Sequence, residues 1–277
     1  MERSPFFLQL SQSHLQILST CPRKFQYSFL ESLSLPRPDE QSAQQELGTQ
    51  FHQLMQQREL ELDIQPLLQD NPTLEAWVNK FHESPPPMIS GLRQSEHQRT
   101  VTWLNGDWPN GIALTAIYDL LIQGTDQAQI LDWKTYRRPP NAQKLQHHWQ
   151  TRLYPFILVE TSGYLPEQLA MTYWFAEPSA TGSHWIRFPY STQLHEQTRA
   201  ALESMLSQLQ VWLQALEAEQ QPLPQVPLTA GHCFSAHRNC AFVTPCDRTA
   251  PETADITLAH TLTDIDAIPA LSLDEVF

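Results

Sequence analysis

Two aspartates and a lysine carry the clearest chemical signal in the chain: Asp119, at the end of the apolar run IALTAIYD, and the triplet Asp132-Trp133-Lys134 that closes the next such run. On a β-strand, residues two apart project to one face, so Asp132 and Lys134 point together while Trp133 faces the core. An aspartate from each of two neighbouring strands can then share a hard divalent cation, because Mg²⁺ prefers oxygen ligands. A lysine beside that cation and a phosphate can favour a hydroxide or offset the added negative charge of a pentacoordinate transition state. Taken alone, a D-x-K triplet is more often an exposed strand pair than a site.

The cysteines form a second constellation. Only four occur, Cys21 near the beginning and Cys233, Cys240 and Cys246 together much later. A reducing compartment argues against two disulfides. Four thiolates suit either a tetrahedral zinc or a [4Fe-4S] cluster, spacing alone does not separate the two, and His232 or His237 could complete a zinc site.

Elements that could position these groups follow from periodicity. Ser11 or Ser13 can cap a short helix through Leu15 and Leu18, and Pro22 can open a second one, CPRKFQYSFLESL. Leu47, Phe51, Leu54 and Met55 recur at helical spacing, as do Leu74, Trp77, Val78 and Phe81 before Pro85, Pro86 and Pro87 stop the segment. RTVTWL, IALTAIYDLLI and QAQILDWKT then read as three successive strands of a meander. A helix from about Lys144 to Thr161, two strand-like runs, LAMTYWFAE and HWIRFPY, and a long amphipathic helix through Leu194, Leu202, Leu209 and Leu216 complete the pattern. Pro222, Pro224 and Pro227 make a stiff linker into the cysteine segment.

The chain of 277 residues, 41% hydrophobic, is long enough for one sizeable core. No stretch approaches the roughly 18 apolar residues of a membrane span, and the opening MERSPFFLQLSQSHLQ lacks a signal peptide's apolar run, so a cytoplasmic protein with no membrane association is expected. The net charge of −13 runs against the usual nucleic-acid binder. Location softens this, since residues 247–277 hold seven acidic residues against Arg248 alone, whereas Lys134, Arg137, Arg138, Lys144 and Arg152 lie in a stretch, 133–159, with no acid. The acidic tail is expected to be poorly ordered.

The order of these features resembles the RecB-like branch of the PD-(D/E)XK nuclease superfamily, including nucleases of CRISPR adaptation with a C-terminal cysteine cluster. The motifs read Cys21-Pro22-Arg23-Lys24-Phe25, Gly48 with His52, Asp119, Asp132-Trp133-Lys134-Thr135, and Gln150 with Tyr154. The resemblance implies an α/β, restriction-endonuclease-like core: a central mixed sheet flanked by helices, with an N-terminal helical part and a C-terminal cysteine-rich segment. One nuclease domain would then span 1–246, with a helical part at 11–90, a catalytic core at 91–221, a cysteine segment at 222–246 and the tail at 247–277.

It further implies a metal-dependent deoxyribonuclease using Mg²⁺ or Mn²⁺. The expected catalytic set is Asp119, Asp132, Lys134, Glu96, Gln150 and Tyr154, and the expected metal site is His52, Asp119, Asp132 and Trp133. Gln150 and Tyr154 would meet the substrate strand, Arg137, Arg138, Lys144 and Arg152 its phosphates, and Trp149 or Tyr154 a base. Cys21, Cys233, Cys240 and Cys246 would hold a structural [4Fe-4S] cluster, with Zn²⁺ as the alternative. DNA is the expected partner, and the absence of any P-loop leaves a helicase or other DNA-processing protein as a separate one. A catalytically weak nucleic-acid-binding or partner-dependent subunit is the rival reading.

Overall fold

β-Branched and aromatic runs broken by polar turns pair into a single mixed sheet, seen in a computed structural model of the chain that describes residues 8–33, 39–103, 111–137, 142–177, 184–228, 231–234 and 239–250. The chain divides into two compact units, the described residues of Met1–Gln12 with Pro38–Ala201 and those of Ser13–Arg37 with Leu202–Ala270.

The first unit holds the sheet. Its strands are β1 (Leu8–Leu10), β2 (Leu92–Trp103), β3 (Ile112–Gln123), β4 (Ala128–Arg137), β5 (Leu169–Glu177) and β6 (Trp185–Pro189). They run in the order β1-β3-β4-β5-β6, with β2 also on β3. β3 is the hub: antiparallel to β2 from Leu92↔Gln123 to Trp103↔Ile112, parallel to β1 at its start, and antiparallel to β4 at its end. β4 and β5 are parallel, so the chain must cross over between them, which it does through α6 (Ala142–His147) and α7 (Trp149–Glu160).

The two faces of the sheet are covered differently. Trp133 and Trp174, paired across β4 and β5, pack with Phe51, Leu54 and Met55 of α3 (Asp39–Glu59) and with Trp77, Val78 and Phe81 of α5 (Pro72–Glu83); the short α4 (Gln65–Leu68) adds Leu68 to this core. The next pair, Asp132 and Tyr173, faces the other way, where Thr151 of α7 meets the Tyr173 hydroxyl at 2.7 Å. Alternation along β4 thus sends Trp133 into the apolar core and Asp132 toward α7.

The three expected central strands form the predicted meander, but β2 is longer than RTVTWL. Its first half, LRQSEHQ, has no strand-like composition and is held in place by pairing with β3. β1 was not expected either, being three residues long. The helix expected from Lys144 to Thr161 is two, broken at His148.

In the second unit lie most of α1 (Gln12–Thr20), α2 (Pro22–Phe25) with its π-helical continuation Gln26–Leu30, the later part of α8 (Thr192–Glu219), and the cysteine segment. Cys21 is the N-cap of α2 and Pro22 its first residue, as the proline predicts. From residue 251 on, the acidic tail lies outside the described residues.

Candidate active site

The β3–β4 hairpin pairs from Gln123↔Ala128 to Leu120↔Leu131 and then parts. Asp119 and Asp132 are the next residues on the two strands, so they stand opposite one another where the ladder opens. The parting leaves the Trp133 N–H without a strand partner, and Asp119 Oδ2 accepts it at 2.7 Å. Trp133 therefore reaches the site through its main chain, while its indole lies in the core, edge-on to Phe81.

On the other side of β3, the register places Glu96 of β2 opposite Asp119, between Ser95↔Leu120 and His97↔Tyr118. Glu96 has φ 50°, a left-handed conformation that costs a non-glycine residue roughly 1–2 kcal/mol. The residue as a whole is exposed on β2, yet its carboxyl turns in toward Asp119 and His52. His52 follows the core residue Phe51 on α3 and places Nδ1 3.3 Å from Asp119 Oδ2. One ligand atom each from His52, Glu96 and Asp119 lie within 4.8 Å of one another, the only such group among the described residues.

Across the gap, Asp132 belongs to a closed triangle. Lys134 Nζ lies 2.7 Å from Asp132 Oδ2 and donates to Gln150 Oε1 at 2.9 Å, and Gln150 Nε2 donates to Asp132 Oδ1 at 2.6 Å. The glutamine suits this position because its amide offers an acceptor to the lysine and a donor to the aspartate. The start of α7 carries it: His148 is the N-cap, and its Nδ1 accepts from Gln150 N at 3.3 Å.

Electrostatics reflect the crowding. Burial pushes the Asp132 carboxyl up to about 6, with Lys134 working against the rise and Asp119 adding to it. Loss of water raises Glu96 to about 7, helped by the charge of Asp119. Burial disfavours the His52 imidazolium, but Asp119, by charge and hydrogen bond, and Asp132 outweigh it, so its pKa is raised. His148 goes the other way: burial, then the Lys134 charge, lowers it to about 4 and keeps the cap neutral.

These groups fit a divalent cation by the chemistry of the donor set. Carboxylates and one imidazole converge, and Asp132 Oδ2, buried, has no aligned hydrogen-bond donor despite the nearby ammonium. An acceptor left in that state is one a cation can claim.

The other expected residues are placed less uniformly. Tyr154 is 4% exposed, edge-on to Tyr118 at 5.4 Å, and offers no open face. Trp149 is also buried, with the Arg152 guanidinium 4.4 Å over its ring. Lys144 is half-buried on α6; the Arg137 side chain and Arg138 lie outside the described residues. His148, Tyr136 and Tyr173 were not singled out in the sequence, yet all adjoin Lys134 or Asp132. Position relative to Lys134 and Gln150 was the available signal for His148 and Tyr136; Tyr173 carried none, because only parallel pairing brings it beside Asp132.

In the second unit the four cysteines are free thiols, each half-buried. Burial raises Cys233 and Cys246, and charge on the other cysteines, Cys21 included, adds to both shifts. The segment is tied back by backbone acceptors: the Tyr27 hydroxyl donates to Pro245 O at 2.9 Å, Gln225 Nε2 to Cys246 O at 3.1 Å, and Cys240 N to Cys233 O at 2.9 Å. Arg23, in the motif Cys21-Pro22-Arg23, donates Nε to Leu223 O at 2.6 Å. His232 is exposed, and His237 lies outside the described residues.

A sheet opening onto opposed carboxylates with a lysine two residues beyond one of them defines a class, and comparison with known proteins agrees. The model of the PD-(D/E)XK nuclease superfamily matches residues 9–247, and the chain belongs to that superfamily. Its mixed sheet flanked by helices is accordingly the restriction-endonuclease-like α/β core, and nuclease is its class of activity. No curated protein matches the chain. Among solved structures it is similar to one described as "Crystal structure of SSO0001", with 14% identity, a TM-score of 0.39, and coverage of 74% of this chain and 78% of that one. No helix among the described residues is long and apolar enough to cross a membrane.

Proposed function

We propose that the protein is a metal-dependent deoxyribonuclease that hydrolyses phosphodiester bonds, preferring single-stranded DNA and acting from ends, in DNA repair, recombination or the processing of foreign DNA. The observation that carries this is the convergence of His52, Glu96 and Asp119 within 4.8 Å, facing the Asp132–Lys134–Gln150 triangle.

Asp119, Asp132, Glu96 and His52 would hold Mg²⁺ or Mn²⁺, which supplies Lewis acidity at a phosphate oxygen when bound. Lys134 orients the attacking water and offsets charge on the phosphate. Gln150 keeps the lysine and Asp132 in register, and Trp133 N–H holds the Asp119 carboxylate in the ladder gap. Phosphates flanking the scissile bond would meet Arg137, Arg138, Lys144 and Arg152. With Tyr154 and Trp149 buried, base stacking is left to other groups, and Tyr154 acts as a wall of the carboxylate site.

The cysteines would hold a structural [4Fe-4S] cluster. The charges of Cys21, Cys233 and Cys240 are felt at Cys246, and those of Cys21 and Cys240 at Cys233, as suits thiolates gathered round one centre.

Incubation of end-labelled linear and closed circular DNA, single- and double-stranded, with Mg²⁺ or Mn²⁺ tests the activity. Cation-dependent degradation of linear single strands with circles spared is expected. Cleavage that persists in EDTA overturns the metal assignment, and nicking of circles overturns the exonuclease one.

A further inference from the structure

Three tyrosines, the half-buried Tyr136 and the buried Tyr154 and Tyr173, lie near enough to the Asp132 carboxylate to feel its charge. Two have spent their hydroxyls: Tyr173 pairs with Thr151 at 2.7 Å, and Tyr154 engages Gln150. The Tyr136 hydroxyl is buried with no hydrogen-bond partner among the described residues. A buried polar group in that state loses its water for nothing in return, so the resting site leaves one bond unmade.

A bulge in β4 sets the backbone at this residue. Lys134 pairs with Phe175, but Arg137 pairs with Glu177, so β4 carries one extra residue across this stretch. Such a bulge turns side chains away from plain alternation and recurs beside active sites. The Tyr136 ring stands edge-on to Phe175 at 5.7 Å, against the residue that pairs with Lys134. The Lys134 ammonium leans on Asp132 Oδ2 at 2.7 Å, off the alignment of a hydrogen bond. A cation that takes Asp132 Oδ2 must displace that ammonium, which is itself buried and needs another acceptor. Burial pushes the Tyr136 phenol up to about 12 against the pull of Lys134, so it stays neutral with its lone pairs free.

We propose that Tyr136 is a positioning residue for Lys134: its hydroxyl oxygen receives the ammonium when a divalent cation claims Asp132, coupling cation binding to the placement of the lysine against the phosphate. The inference rests on the nuclease reading of the site. Tyr136 touches neither cation nor substrate and acts only through Lys134.

Tyr136→Phe keeps the ring and removes the acceptor. Calorimetric titration of the purified, metal-free protein with Mn²⁺ should show affinity weakened about 10- to 100-fold, the worth of one hydrogen bond to a charged group. At saturating Mn²⁺, kcat on linear single-stranded DNA should fall about 10-fold with KM unchanged. In a Lys134→Ala background the same substitution should add nothing, because the group it serves is gone. The metal-free variant should melt no lower than the parent, since the hydroxyl holds no partner there. Parental Mn²⁺ affinity and kcat in Tyr136→Phe, or a lowered melting temperature, overturns the proposal. Asp132→Ala separates the two readings: if it loses Mn²⁺ binding while Tyr136→Phe matches the parent, the Tyr136 role alone falls; if it binds Mn²⁺ normally, both fall.

Discussion

Asp119, Asp132 and Lys134 ride on central strands of a sheet, each with a hydrogen-bonded or ionic partner already in place, whereas Cys233, Cys240 and Cys246 sit among turns and bends, with no strand and no long helix among the described residues around them. In the first region the apolar core beneath Trp133 and the pairing of β3 hold the geometry before any ion arrives. In the second, a few bonds to backbone carbonyls do so, and the sulfurs are half-buried. A ligand should therefore be needed for chemistry in one place and for structure in the other.

The largest effect expected from breaking the first region is on cleavage. Asp132→Ala should reduce cation-dependent DNA hydrolysis about 10³-fold or more, measured on end-labelled DNA. Asp119 sharpens the point because it has a structural duty as well. Asp119→Ala orphans the Trp133 N–H and should cost roughly 1–3 kcal/mol in denaturant unfolding, while Asp119→Asn, able to accept that bond, should recover most of the stability and none of the activity. Equal stability of the two variants would remove the structural duty.

Next in size is the cysteine region. Anaerobically purified protein should be brown, with iron and sulfide in equal amounts. Cys21→Ser and Cys246→Ser should each bleach it and lower the melting temperature by roughly 5 °C or more, with Mn²⁺ affinity at the carboxylates little changed. Colourless protein with one tightly bound zinc would replace the cluster by a zinc site.

A smaller effect concerns pH in the metal-free protein. Asp132 has its folded pKa raised, to about 6, above its unfolded value near 4, so the folded state binds the extra proton in that window. Its contribution is full below about pH 4 and is lost as pH rises through 6, at most about 3 kcal/mol. Urea midpoints should thus fall across that range, and saturating Mg²⁺ should reverse the trend. A midpoint that rises from pH 4 to 6 without metal would mean that Lys134 overwhelms burial.

Smallest is Gly48→Ala. A Cβ there would meet Thr135 Oγ1 at 3.4 Å, a close but ordinary contact, so helix propensity and contact should nearly cancel and leave stability within about 1 kcal/mol. A much larger loss would show that α3 needs closer approach to β4 at this glycine.

Much of this architecture is written locally. IALTAIYDLLI and QAQILDWKT declare strands by composition, LAMTYWFAE coincides with β5, and the periods of α3, α5 and α8 are legible because apolar residues repeat on one helical face. The missed pieces lack such a signal. LRQSEHQ becomes strand only because β3 offers it a ladder, and His148 interrupts a helical run as a cap, a role its residue type does not announce.

What the sequence by itself determined was the inventory and its order: an aspartate ending one strand, an aspartate and lysine two apart on the next, a glutamine on the following helix, and cysteines at both ends of the chain. These follow from spacing, which is a local property. Tertiary structure alone decided that the hairpin parts at Asp119 and Asp132, that Glu96 turns in from β2 at a left-handed φ, that parallel pairing sets Tyr173 beside Asp132, and that the Tyr136 hydroxyl finds no partner among the described residues. Each depends on which strands pair and where a ladder ends, and pairing over long separations in the chain is settled by the packing of the whole sheet rather than by any run of residues within it.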